Sequence, residues 1–190
     1  MKIDTWLVES VCNTMIEMIE DRGYGVASRL KSVDELIPIF QEGGNIIANE
    51  ITTVCIVTEK LGIKAIRDME ALATNSKHVF ILTWQRPTPP AMKRLLNEST
   101  TSWCSQFLVS EVVRNITKHK LVPKHTKLSP SEMQKKLKRW NISNTALLPH
   151  ILTSDPVARY LGLIDGDVVE IKGSFGTSNG TLHFRLATSG

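Results

Sequence analysis

The sequence predicts two small domains: an α/β domain with a small mixed sheet over residues 1–118, then a small α+β domain over 119–190. Three observations carry that expectation. Two β-branched runs, Ile51–Thr58 and Val79–Trp84, flank a helical period at Gly62–Thr74, which is the strand–helix–strand alternation of an α/β layer. Apolar periodicity stops between Ile116 and Lys127, where Pro123 breaks the backbone. Beyond it, capped helices precede two alternating strands.

Taken in order, Asp4 or Thr5 can cap a first helix whose inner stripe is Val8, Val11, Cys12, Met15, Ile16 and Ile19, with Gly23 as its stop. A second helix is expected from about Ser32 to Gln41, carrying Val33, Leu36, Ile37 and Phe40, with Gly43-Gly44 ending it. Pro38 is expected to kink that helix or shift its boundary. Ile51–Thr58 reads as a buried strand, followed by a helix with Ile63, Ile66, Met69, Leu72 and Ala73 inward. After the strand Val79–Trp84, a proline-rich elbow, Pro87 to Pro90, leads into a short helix from Ala91 to Asn97 and a strand from Ser102 to Val109.

In the second domain, Ser129-Pro130-Ser131-Glu132 is a capping box with proline at the first helical position. Its helix places Met133, Leu137 and Trp140 on a core face, with Lys135, Lys136, Lys138 and Arg139 elsewhere. Asp155 offers a carboxylate to the amides of a very short helix that Pro156 begins. Gly162 can take the left-handed conformation that ends it, letting Leu163 fold back onto the apolar side. Asp165-Gly166 then turns the chain into Asp167–Lys172, with Val169 and Ile171 on one face. The last strand, Thr181–Ala187, puts Leu182, Phe184 and Leu186 opposite Thr181, His183 and Arg185; Gly173 to Gly180 is a long hairpin loop.

Composition narrows the function. At 190 residues and 42% hydrophobic content the chain is globular, and no apolar run approaches the ~20 residues that a membrane helix needs. Asp4, Glu9, Glu17 and Glu20 exclude a signal or transit peptide at the N-terminus. Cys12, Cys55 and Cys104 are odd in number and far apart, which suits buried thiols in a reducing compartment. The net charge of +4 is concentrated: between Lys118 and Arg139, eight basic residues face Glu132 alone. Such a segment suits a polyanionic or acidic partner, or a solvated helix face.

The residues suggest no catalysis. His78, His119, His125, His150 and His183 make no HExxH pair, and no metal or cofactor site is expected. The Gly173–Gly180 glycines lack the closing Lys-Ser/Thr and the following helix of a phosphate loop. Asp155 is explained by capping and Asp165 by the turn, while Asp167 and Glu170 point to opposite faces of one strand. The elbow is different. Prolines make a stiff projection, and Arg86, Lys93 and Arg94 bracket it with positive charge suited to phosphates. An ordinary strand-to-helix connection explains it equally well.

The run LLPHI…SDPVARYLGL…GDVVEI…HFRL, from Leu147 through Leu186, resembles the fifth subunit shared by the eukaryotic nuclear RNA polymerases, whose C-terminal half matches a small subunit of archaeal RNA polymerase. The likeness continues at Asn115–His125, Gly62–Ile66, Thr88–Ala91 and Asp21–Tyr24, and so covers nearly the whole chain. It implies a non-catalytic subunit. Residues 119–190 would dock on the largest subunit through Leu148, Pro149, Asp155, Pro156, Val157, Arg159, Tyr160 and Gly162. Residues 1–118 would be a nuclease-like fold without its active site, part of the lower jaw. There Arg86, Thr88, Pro89, Pro90, Ala91, Lys93 and Arg94 would lie near downstream double-stranded DNA. No cofactor and no membrane are implied, and the location is the nucleus, or a virion or viral factory for a large DNA virus.

The chain departs from the family pattern at acidic Asp165 and Asp167, in the loop Gly173–Gly180, and between Gly43 and Glu59, where a strand or loop looks trimmed. Two other classes compete with the polymerase reading. One is a free-standing nucleic-acid-binding module using the basic 118–139 segment; the other is a cryptic nuclease built on the first domain.

Overall fold

The computed structural model describes residues 4–27, 33–72, 76–95, 103–142, 144–173 and 180–189, excluding the side chains of 70–72. The termini expected at Ser32, Thr74, Asn97 and Ser102, the inward positions of Leu72 and Ala73, and the hairpin loop over 174–179 lie outside the described residues. The chain divides into two units, Met1–Arg114 and Asn115–Gly190.

In the first unit, α1 (Thr5–Asp21) is capped by Asp4, whose carboxylate accepts from the Trp6 amide at 3.3 Å. Its inner side buries Val8, Val11, Cys12, Met15, Met18 and Ile19; Ile16 is half-buried. α2 (Val33–Glu42) runs through Pro38 without ending there. Pro38 is exposed, so the carbonyl it leaves without an amide donor faces water. β1 (Gly44–Asn49) pairs antiparallel with β2 (Thr52–Val57), from Gly44 opposite Ile56 to Asn49 opposite Thr52. The single strand expected at Ile51–Thr58 is the second arm of a hairpin. The first arm escapes notice because its outer positions are Asn45, Ile47 and Asn49, and Ile47 is 75% exposed.

β3 (His78–Thr83) and β4 (Cys104–Leu108) add in parallel, giving the order β1-β2-β3-β4. The crossovers hold α3 (Ile63–Leu72) and α4 (Pro89–Leu95). They cover one sheet face through a core of Cys55, Leu61, Ile66, Val79, Ile81, Ala91, Leu95 and Cys104. Ile63, expected inward, is 37% exposed. On the opposite face, α2 packs on β1 and β2, and the Trp84 indole donates to the Phe40 carbonyl at 3.3 Å. Covering both faces is why β2 and β3 read as unbroken apolar runs.

The second unit also holds a four-stranded mixed sheet, ordered β5-β7-β8-β6: β5 (Lys124–Lys127), β6 (His150–Leu152), β7 (Val168–Lys172) and β8 (Leu182–Thr188). β5 and β7 run antiparallel, as do β7 and β8, while β6 joins β8 in parallel. β5 and β6 were not legible: one is the polar run Lys-His-Thr-Lys, the other three residues long. α5 (Pro130–Arg139) lies on one face over Leu128, Leu137, Leu148, Val168 and Phe184. Trp140 corrects the expected core face. It stands 53% exposed where the helix has already ended, with Asn141 in the left-handed region at φ 55°. α6 (Pro156–Leu161) closes the fold.

Candidate functional site

The stretch from Leu148 to Gly166 is built from local signals, each observed. The Asp155 carboxylate accepts from the Val157 and Ala158 amides at 2.8 and 3.3 Å, and Pro156 opens α6. Gly162 sits at φ 62°, ψ 42°. Its amide donates to the Arg159 carbonyl at 3.1 Å and that of Leu163 to the Ala158 carbonyl at 3.0 Å, the paired bonds of a Schellman ending. Leu163 is buried as a result. The Tyr160 side chain, 2% exposed, accepts a hydrogen bond at its hydroxyl from Asn115 Nδ2 at 2.9 Å. Asn115 Oδ1 also accepts from the Thr117 amide, so this residue caps a 3-10 turn at Ile116–Lys118 and ties it to α6. Sequence reasoning passed over Asn115, although Asn before a turn is itself a capping signal.

These contacts sort the docking candidates by role. Leu148, Val157 and Tyr160 are interior, so they support the unit rather than its surface. Asp155 and Gly162 define the helix ends. Pro149 and Pro156 are exposed and Arg159 is half-buried. Large apolar surface lies elsewhere: Leu147 is 78% exposed, Leu152 51% and Ile164 48%. They surround the C-terminal half of β8. Leu186 donates to the Pro149 carbonyl, Leu152 is the register partner of Thr188, and Gly166, two residues beyond Ile164, donates to Ala187. β6 is an edge strand; on its outer side the His150 carbonyl accepts from the Arg185 side chain at 3.4 Å and the Leu152 carbonyl from the Asp155 amide at 3.0 Å.

The departures at Asp165 and Asp167 have structural partners. Asp167 accepts from the Ile164 amide at 2.8 Å and pairs with Lys127 at 2.6 Å, while Asp165 accepts from the Ser189 hydroxyl at 2.8 Å. Glu170 pairs with Lys136 at 2.5 Å. Among the described residues no group of three or more His, Cys, Asp or Glu is placed to hold a metal. Burial pushes the Cys12 and Cys55 thiols up to about 11, which keeps them protonated and unreactive.

At the elbow the helix begins earlier than expected, so Pro89 and Pro90 form the first turn of α4 instead of a projection before it. The Thr88 amide donates to the Leu61 carbonyl at 3.0 Å and its carbonyl accepts from Met92 at 2.8 Å. Pro87 is buried and Ala91 is fully buried in the core. Pro89, Pro90, Arg86 and Lys93 are exposed, and Arg94 is half-buried. The surface of this element is therefore a short basic ridge, with Ala91 as its root.

Asp21-Arg22-Gly23-Tyr24 has a clear local function. The Arg22 guanidinium lies 4.8 Å from the Phe80 ring centroid and donates to Ser105 Oγ at 2.9 Å. Tyr24 stacks on His78 with centroids 3.6 Å apart. Burial, then the charges of Arg22 and Lys77, push the His78 pKa down, so the imidazole is held neutral. The block covers the end of a sheet face; nothing in it is arranged for catalysis.

Comparison with known proteins agrees with this architecture. Residues 114–187 match the family model described as RNA polymerase Rpb5, C-terminal domain. Proteins named DNA-directed RNA polymerases I, II, and III subunit RPABC1 are 27% identical to this chain in both Caenorhabditis briggsae and Caenorhabditis elegans, each over 97% of both chains. The Dictyostelium discoideum protein of that name is 34% identical over 68% of this chain and 67% of its own. With its second unit matched by the family model and its whole length aligned to such subunits, this chain belongs to the RNA polymerase fifth-subunit family, the non-catalytic Rpb5 subunits.

Proposed function

We propose that the second unit docks this chain on the largest subunit of a DNA-directed RNA polymerase, and that the first unit contributes to the lower jaw beside downstream DNA. The observation that carries the docking half is the exposed apolar surface of Leu147, Leu152 and Ile164 beside the edge strand β6. An apolar patch next to an edge strand suits a permanent partner better than solvent. The jaw half is supported by exposed Arg86 before, and Lys93 after, the proline-stiffened first turn of α4, a pattern fit for phosphates rather than bases. On this reading the first unit is a nuclease-like scaffold without an active site, and the chain works in the nucleus. The names of the relatives support its service in shared polymerases.

Assembly tests the docking half. Leu152→Asp with Ile164→Asp should leave a folded, soluble chain that no longer co-purifies with the largest subunit. Normal co-purification of that variant would overturn the assigned face.

A further inference from the structure

We propose that the outward side of α5, with the indole of Trp140 at its end, is a binding surface for single-stranded nucleic acid. Its residues are distinct from those of the elbow and from Leu147, Leu152 and Ile164. At about 100° per residue, Lys138, Lys135 and Arg139 occupy about 100° of the helix circumference, opposite Met133 and Leu137, within about 6 Å of axial rise. All three are exposed, and among the described residues neither Lys138 nor Arg139 has an ion-pair partner. The acids nearby are already engaged. Glu132 folds back on Ser129, accepting from its hydroxyl at 2.6 Å and its amide at 3.0 Å, and Glu170 takes Lys136.

Cations in a last helical turn also stabilise the helix dipole, so charge alone does not define a site. The flanks of the charged strip carry the further argument. Trp140 meets Phe184 edge-on, with centroids 6.3 Å apart and planes at 64°, yet half the side chain stays in water. On the other flank an open groove of about 430 Å³ runs between Met133, Leu137, Ile142 and the polar side chains of Gln134, Lys138 and Asn141. Around the helix the order is therefore groove, three cations, Lys136 held by Glu170, and then the indole, which leans on Phe184. A strand crossing α5 would meet a recess for a base, donors for its phosphates, and a ring on which another base can stack. In a duplex the base faces are already stacked, and Asp and Glu side chains offer no flat ring to match the indole. These features favour the single strand.

Fluorescence anisotropy of the purified full chain with labelled oligouridylate RNA and oligothymidylate DNA tests this across a salt series. Lys135→Gln, Lys138→Gln and Arg139→Gln together should weaken binding at least tenfold near 0.1 M salt and flatten the log–log slope by about 2. Trp140→Leu, which keeps the apolar packing on Phe184, should weaken it about fivefold or more, and Trp140→Phe should restore most of the loss. Tight binding of either strand upholds the proposal, the tighter arm naming the strand. An unchanged affinity in the folded triple variant overturns it. So does equal or tighter binding of a duplex hairpin or a polyglutamate peptide. The Arg86→Gln, Lys93→Gln variant separates the two surfaces: loss of single-strand binding there, with α5 intact, would also overturn the assignment.

Discussion

Placing a side chain at Gly162 strains a left-handed backbone conformation. The residue sits at φ 62°, ψ 42°, where a Cβ crowds the following carbonyl at a cost of about 1–2 kcal/mol. Both Schellman bonds, from Gly162 to Arg159 and from Leu163 to Ala158, depend on that conformation, and Leu163 is buried through it. Gly162→Ala should therefore cost about 1 kcal/mol and Gly162→Val about 2, because a branched Cβ tolerates the region least. In a unit of this size, that lowers the melting midpoint by about 4–8 °C for Ala and roughly twice that for Val. Gly162→Asn should lose least, since Asn enters the left-handed region readily, as Asn141 does at the end of α5. Thermal melting of the full chain, with hydrogen exchange read at the amides of Ala158 to Leu163, assigns the loss to the second unit. A Val variant with wild-type melting would refute the left-handed ending. Equal losses for Asn and Ala would place the cost in packing instead of φ.

Three further outcomes follow from the same geometry. Ser129→Ala removes the hydroxyl that caps α5 and should cost about 1 kcal/mol, measured by urea unfolding; the Glu132 carboxyl, now held below its ordinary range by Ser129, should titrate higher in that variant. His78 takes a proton less readily folded than unfolded, so its contribution to stability is present above about pH 6.5 and is lost as pH falls from there toward its lowered value. Urea midpoints at pH 7.5 and 5.5 should show that loss in the wild type, and His78→Gln should reduce it. Neutralising Arg86 and Lys93 should leave melting unchanged, while the assembled polymerase holds DNA less tightly, with a salt slope shallower by about 0.9 for each phosphate no longer neutralised. Identical salt curves would return the ridge to the role of a connection.

How much could be read in advance follows from how local each signal is. α6 was legible to the residue because Asp155, Pro156, Gly162 and Leu163 define it within nine positions. α5 was equally clear at its start, where the capping box is contiguous. Its end was not. Helical periodicity carries Trp140 onto the core side, and nothing short of Asn141 turning left-handed shows that the helix has stopped. β5 is legible only through its partner. Lys-His-Thr-Lys alternates nothing, and it is a strand because β7 offers it an edge some forty residues later. β1 was hidden by the opposite fault, an apolar Ile47 facing water on an edge strand.

The same distinction separates the family signature from the working surface. The residues that make the Leu148–Gly162 run recognisable are mostly spent inside the unit: Leu148, Val157 and Tyr160 in its interior, Asp155 and Gly162 at helix ends. They identify the scaffold because folding demands them. Leu152 and Ile164 stand among these residues outside the quoted motifs, and with Leu147, the first residue of LLPHI, they hold the apolar surface that a partner would cover. A chain can therefore keep its signature intact and still change what it binds, because the two sets of side chains answer to different neighbours. The α5 surface follows the same division. Leu137 and the capping box keep the helix in place, whereas Lys135, Lys138 and Arg139 add only their charge to its last turns and half of Trp140 faces water, and it is there that binding can vary at small cost to the fold.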